Sequence, residues 1–312
     1  MTQLLSPPTE SSNSSTLDNE SIYENVQNHY GRSAKNNDSS YGHAVASEFG
    51  YSKEELTNAP LESNLGLSCG NPFAIAKLRE GETVIDLGSG AGFDVFQAAK
   101  KVGLSGKAIG VDMNEEMLSK ANGIKAKIEA GNVSFVKSRI TQIELPNETA
   151  NCIISNCVVN LVPTAEKQMV FNEMFRLLKP NGRVALSDIL LKKDLPSELQ
   201  NNVGLYVGCV SGASRMGEYE HYLRQAGFEE ILIIPDQTDL NVYKTQGESG
   251  TNLGCCGPTI KEDTKIGCCG SSKATKSTCN GSNGKAEKDN KLAEIDLNEW
   301  AGSYKMYAVK SK

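Results

Sequence analysis

Nine cysteines occur in two unlike settings. Cys69, Cys157 and Cys209 stand singly, beside Gly or Asn, in stretches that otherwise read as folded. Cys255-Cys256 and Cys268-Cys269 form twin GCCG blocks in polar, Gly/Ser/Lys-rich sequence, and Cys152 and Cys279 complete the set. A thiolate is both a nucleophile and a soft ligand, so where each thiol lies relative to a pocket decides what the chain can bind.

A second grouping is acid-x-Gly-x-Gly-x-Gly, formed by Asp86, Gly88, Ser89, Gly90, Ala91 and Gly92 after the apolar run ETVIDL. Alternate glycines let a ligand approach backbone where any Cβ would collide. A dinucleotide fingerprint needs its last glycine at 93, which is Phe93. The next strand closes on Asp112, placed to accept hydrogen bonds from a ribose diol, and Asp86 can hold the amino end of an amino-acid moiety. Adenosine joined to a charged amino acid without pyrophosphate describes S-adenosyl-L-methionine. A plain tight strand-to-helix turn is the competing reading, and the acid one strand later favours the cofactor.

These groups need a scaffold, and the pattern supplies one. A helix is expected over SIYENVQNHYG with Gly31 as its stop, and a short one over KEELT. From residue 82 strands alternate with helices: ETVIDL, a helix FDVFQAAKK closed by Gly103, KAIGVDM, and a helix from Asn114 to about Ala130. VSFVKS, NCIISNCVVNL, a helix over AEKQMVFNEMFRLLK and RVALSDIL follow. This predicts an α/β, doubly wound, mostly parallel seven-stranded sheet with a smaller C-terminal α+β portion. That portion holds helices over 197–208 and 217–226, the strand EEILIIP and a closing strand in IDLNEWAGSYKMYAVK, where Trp300 packs. The expected layout is a disordered tail over 1–20, a cofactor-binding domain over 21–193, and a closing domain over 194–244 plus 291–312. A flexible cysteine-bearing insertion occupies 245–290.

Composition narrows the class. The 312 residues are 38% hydrophobic and 22% charged with a net charge of −6, which disfavours nucleic acid as a partner. The first twenty residues have neither a basic residue nor an apolar run, and no stretch has membrane-spanning length. The expectation is a monomeric cytoplasmic protein whose cysteines stay reduced.

In open α/β sheets, ligands bind beyond the carboxyl ends of the strands. Cys157 lies where the fourth strand runs out. Cys69 precedes Gly70-Asn71-Pro72 and a helix from Phe73, whose dipole favours a thiolate. Cys209 sits in the segment that could fold over the pocket mouth. The ordinary reading of any one of them is a small buried hydrophobe.

GLSCGNP around Cys69, VIDLGSGAG around Asp86, SNCVVNL around Cys157 and YVGCVSGA around Cys209 together resemble the arsenite methyltransferases. GYSKEELTNAPLESNLGL and IDLNEWAGSYKMYAVK extend the likeness, which covers about 22–245 and 292–310. The resemblance implies that Cys69, Cys157 and Cys209 bind As(III) as substrate and that the arsenic lone pair attacks the sulfonium methyl. It also implies a cofactor site of Asp86, Gly88, Ser89, Gly90, Gly92, Asp112, Met113, Ile140 and Asn156. Arsenite or its thiol conjugates would be the substrate, with glutathione or thioredoxin as external reductant. A soft nucleophile needs no general base, and His29, His43 and His221 lie in no catalytic motif. Some members of that family carry a further cysteine upstream of the first ligand; SSYGHAVASEFGYS has none. The GCCG blocks are read first as flexible thiols that capture or relay arsenic, then as functionless, then as a zinc site. Cys152 is expected in the core and Cys279 at the surface. Two rival functions are methylation of a small organic acceptor and non-enzymatic metal sequestration.

Overall fold

The computed structural model describes residues 18–35, 39–196, 200, 209–241 and 295–312. Cys255, Cys256, Cys268, Cys269 and Cys279 lie outside these residues, as do nearly all of the expected tail and insertion and most of the helix expected over 197–208.

Seven strands, β1 (Thr83–Leu87), β2 (Lys107–Asp112), β3 (Val133–Lys137), β4 (Ala150–Asn156), β5 (Leu178–Leu191), β6 (Glu229–Pro235) and β7 (Ala301–Val309), make one sheet. Their order is β3-β2-β1-β4-β5-β7-β6. Only β7 runs against its neighbours. The doubly wound, mostly parallel sheet read from the sequence is what forms, and β6 and β7, from the C-terminal segments, complete it.

The helices are α1 (Asn19–Ala34), α2 (Ser39–Glu48), α3 (Lys53–Asn58), α4 (Phe73–Ala76), α5 (Phe93–Val102), α6 (Glu115–Lys127), α7 (Lys167–Leu177) and α8 (Met216–Ala226). Period-two alternation in the central strands splits their apolar side chains between two faces. Ile85, Leu87, Ile153 and Leu186 pack with Phe171 and Leu177 of α7 and Tyr219 of α8. Val84, Cys152, Ile154 and Ala185 pack with Phe96 and Ala98 of α5. Cys152 is a core residue as expected, and burial pushes its thiol up to about 12, so it is inert as a thiolate.

Three local expectations are corrected. The first helix runs through Gly31 to Ala34. There a Cβ would stand 3.3 Å from the Asn114 amide nitrogen, so the glycine permits a close approach rather than a stop. The fourth strand ends at Asn156 instead of Leu161. Cys157 takes a left-handed φ of 57°, and Val159–Leu161 forms a 3-10 turn. Helix α2, whose sequence shows little apolar periodicity, is not among the expected elements.

One buried clamp ties the Cys69 region to the sheet. Arg183 of β5 meets Glu82 through two 2.8 Å hydrogen bonds and donates to the carbonyls of Ala76 (2.6 Å) and Lys77 (2.9 Å). Removing one member strands a charge with little water around it. Arg183→Met should therefore lower the unfolding free energy by about 3 kcal/mol in urea titrations, and Glu82→Gln by less. A loss below about 1 kcal/mol would place the clamp among weak surface pairs.

Candidate active site

At the end of β1 the chain needs three left-handed residues in five, and glycine fills each: Gly88 (φ 71°), Gly90 (52°) and Gly92 (89°). A Cβ on Gly88 would overlap the Val158 side chain, and one on Gly92 would stand 2.8 Å from Phe135. Gly92 caps α5 and does not border the cleft, so packing explains it. The turn is braced from the next strand. Asp112 accepts from the Gly90 amide and the Asn114 amide, both at 2.8 Å.

Beyond these strand ends lies a cleft of about 1060 Å³. Asp86, Gly88, Ser89, Gly90, Asp112, Met113, Ile140, Asn156 and Cys157 all border it. Helix α1 forms one wall, with Tyr23, Val26, Gln27 and Tyr30 facing inward. Arg139 fastens that helix: its two terminal nitrogens meet Glu20 at 2.9 and 2.7 Å, and its guanidinium lies 4.1 Å over the Tyr23 ring. Tyr23 in turn donates to Glu166 at 2.6 Å.

Three acids, the buried Asp86 and Asp94 and the half-buried Asp112, set the electrostatics. Burial, then the charges of Asp94 and Asp112, raises Asp86 well above the usual carboxylate range. Burial likewise raises Asp112, opposed by backbone amides of Asn114, Gly90 and Met113. Asp94 is raised to about 7 by burial, against hydrogen bonds from Tyr51 and Asn156. Among the described residues no donor hydrogen-bonds to the Asp86 carboxylate, and the buried Ser89 hydroxyl lacks a partner. Clustered acids, open hydrogen-bonding capacity and apolar walls fit a cationic adenosine derivative with an amino group and a diol.

Asp94 and Tyr51 did not stand out in the sequence. Asp94 reads there as an ordinary first-turn helix acid, and Tyr51 comes from 43 residues away to donate to it at 2.8 Å. Asn156 borders the cleft, but its amide is engaged elsewhere: Nδ2 donates to Gly70 O (2.8 Å) and Tyr51 Oη (2.9 Å), and Oδ1 accepts from the Cys69 amide (3.2 Å).

The structure brings the three solitary cysteines together. One ligand atom from each of Cys69, Cys157 and Cys209 lies within 4.8 Å of the other two. All three are buried, at 2, 5 and 2% exposure, within one apolar cluster that includes Val26, Phe49 and Leu161. The side chains of Cys69 and Cys157 face each other with Cα atoms 5.9 Å apart, within the span that a disulfide requires. The Cys209 thiol donates to the Cys157 carbonyl at 2.9 Å. Ser303 of β7 donates to the Cys69 carbonyl at 2.9 Å, which brings the closing strand to the same site.

Residues 78–227 match the family described as a methyltransferase domain. An arsenite methyltransferase of Halobacterium salinarum is 47% identical over 186 residues, 60% of this chain and 47% of that protein. One from Aquipseudomonas alcaligenes is 35% identical over 227 residues, 69% of this chain and 64% of that protein. The chain thus spans about half of the first relative and under two thirds of the second. The solved arsenic (III) S-adenosylmethionine methyltransferase of Chlamydomonas reinhardtii superposes with a TM-score of 0.51 at 24% identity, covering 86% of this chain and 73% of that one. Strand order and these likenesses identify the class I, Rossmann-like methyltransferase fold.

Asp94 yields a test of the acidic wall. A carboxyl raised from 3.8 to about 7 binds its proton more tightly folded than unfolded. Its burial therefore costs stability progressively as pH rises through that window. Asp94→Asn should flatten the fall in unfolding free energy from pH 4 to 7, followed by urea denaturation. An unchanged slope would show that Asp94 titrates normally.

Proposed function

We propose that this chain, built on the class I methyltransferase fold, transfers methyl groups from S-adenosyl-L-methionine to trivalent arsenic held by Cys69, Cys157 and Cys209. The convergence of three buried sulfurs beside an acidic cleft carries the reading. When bound, the cofactor supplies a methyl group activated on a sulfonium. Asp86 suits its ammonium, Asp112 its ribose diol, and the backbone of Gly88, Ser89 and Gly90 a close approach, with Met113 and Ile140 as apolar walls.

The chain's own groups do three things. The thiols pass their protons to the three hydroxyls of arsenite, which leave as water as three arsenic–sulfur bonds form, and the arsenic lone pair remains as nucleophile. The apolar cluster keeps water from competing for the substrate. Fixed neighbours turn a two-body encounter into an oriented one, which is the main source of acceleration when no base is needed. No histidine is among the described residues lining the cleft, in keeping with that chemistry.

An oxidised Cys69–Cys157 pair, which their 5.9 Å Cα separation permits, would tie up two of the three ligands. Two equivalents of an external thiol, glutathione or the dithiol of thioredoxin, would reduce it to two cysteine thiols and leave as the oxidised disulfide. Arsenite or its thiol conjugates then exchange onto the site. In this reading segments 194–244 and 291–312 close over the arsenic, an arrangement supported by Cys209, Leu240, Leu297 and Ala301 sharing one cluster with Cys69. The protein acts as a cytoplasmic monomer that engages neither nucleic acid nor membrane. A net charge of −6, and no described helix long and apolar enough to cross a bilayer, support that part.

Purified protein incubated with arsenite, S-adenosyl-L-methionine and glutathione should release methylated arsenic, resolved by chromatography with mass detection. Each single Cys→Ser change at 69, 157 or 209 should cut turnover at least ~100-fold while cofactor affinity stays within about threefold. No methylated arsenic from the reduced wild-type protein would overturn the proposal, and full arsenic methylation by Cys157→Ser would show that the third sulfur is not needed.

A further inference from the structure

Of the three sulfurs, only that of Cys157 hangs directly on the end of a strand, where its amide donates to Ser187 of β5 at 2.8 Å. The other two arrive on connecting segments 88 residues before it and 52 after it. Asn156, the neighbour of Cys157, grips the backbone on both sides of the Cys69–Gly70 peptide. A matching arm reaches the other way. Asn160, three residues past Cys157 and fully buried, directs its amide nitrogen at Asp188 Oδ1 (2.7 Å), Ile189 O (2.6 Å) and Cys209 O (3.2 Å). With three acceptors around one nitrogen, the amide has a single workable orientation. Tyr219 of α8 locks the far side by donating to Asp188 Oδ2 at 2.7 Å, with Asn160 Oδ1 3.3 Å from its hydroxyl.

A second buried group holds the same loop three residues on. Lys167, at the start of α7, donates to the Gly212 carbonyl and to the Ser214 hydroxyl (2.9 Å). Neither Asn160 nor Lys167 borders the cleft, so neither is placed to touch a methyl donor. Yet the residue between their grips is under conformational load. Cys209 has φ 62°, a region that L-residues avoid because Cβ crowds the following carbonyl, and which persists only when the surroundings impose it.

We propose that Asn160 is a positioning residue which, together with Lys167, clasps the Cys209 loop so that its sulfur stays within reach of Cys69 and Cys157. The proposal rests on the three-thiolate reading above. Asn156-Cys157-Val158-Val159-Asn160 then works as a hub: one ligand at its centre and an amide at each end holding the backbone of another.

A double-mutant cycle separates this role from simple core stability. Arsenite affinity of the reduced full chain is read from the fluorescence of Trp300, which packs on the cluster holding the three cysteines. The number of sulfurs on arsenic is read from X-ray absorption. Asn160→Ala should weaken arsenite about tenfold or more, lower the sulfur count from three to two, and leave S-adenosyl-L-methionine affinity within about twofold. Introduced into Cys209→Ser, the same change should have no further effect on arsenite. Lys167→Met should follow the same pattern. Tyr219→Phe, which removes one hydroxyl, should show a smaller loss in the same direction and keeps the test open if Asn160→Ala fails to fold. Equal losses in the wild-type and Cys209→Ser backgrounds, or a sulfur count of three in Asn160→Ala, would overturn the proposal. If Cys209→Ser alone leaves arsenite affinity unchanged, the three-thiolate reading itself fails and the clasp falls with it.

Discussion

The parallel pairing of β1 with β4 is the constraint on which the site depends. These neighbours are out of sequence order, and the chain leaves them toward opposite faces of the sheet, which opens a crevice between the departing segments. Their register sets Leu87 beside Ser155, and the Ser155 hydroxyl donates to the Leu87 carbonyl at 3.2 Å. The glycine turn and the Asn156-Cys157 step therefore emerge side by side. One strand delivers Asp86 and open backbone; the other delivers a thiol and the amide beside it. Every other group at the site reaches this point from farther along the chain.

Burying acids around an open cleft is costly unless something charged comes to meet them. Asp86 and Asp94 respond in the free protein by holding protons more tightly than they would in water. A cationic occupant reverses that preference, so part of its affinity comes from relieving a cost built into the folded chain. Asp112 differs because it is already engaged with the backbone of the turn. Asp94 is likewise engaged, by the Tyr51 hydroxyl, so of the three acids Asp86 faces the ligand most freely.

What could be read in the sequence was whatever obeyed a local rule. Asp86 and Asp112 close successive strands, and the glycine spacing marks the turn between them. Cys157 could be placed because a strand visibly runs out there. Gly31 misled because a glycine in a helix reads as a stop, although here it serves the approach of Asn114. NCIISNCVVNL reads as one continuous apolar run, and only the left-handed turn at Cys157 ends the strand early. Gly92 belonged to the right motif but answers to Phe135 and Phe96. Tyr51, Asp94, Asn160 and Lys167 stayed hidden for a different reason. Each looks ordinary among its sequence neighbours, and its meaning lies in partners 28 to 105 residues away.

The setting of the three sulfurs also bears on which ions could stay there. Their surroundings are aliphatic and aromatic, and no other ligating side chain among the described residues joins the cluster. An ion that requires four protein donors, as structural zinc does, would be left one donor short. A pyramidal ion with a lone pair is complete with three. Under the three-thiolate reading, coordination number, rather than raw affinity for sulfur, would be the filter.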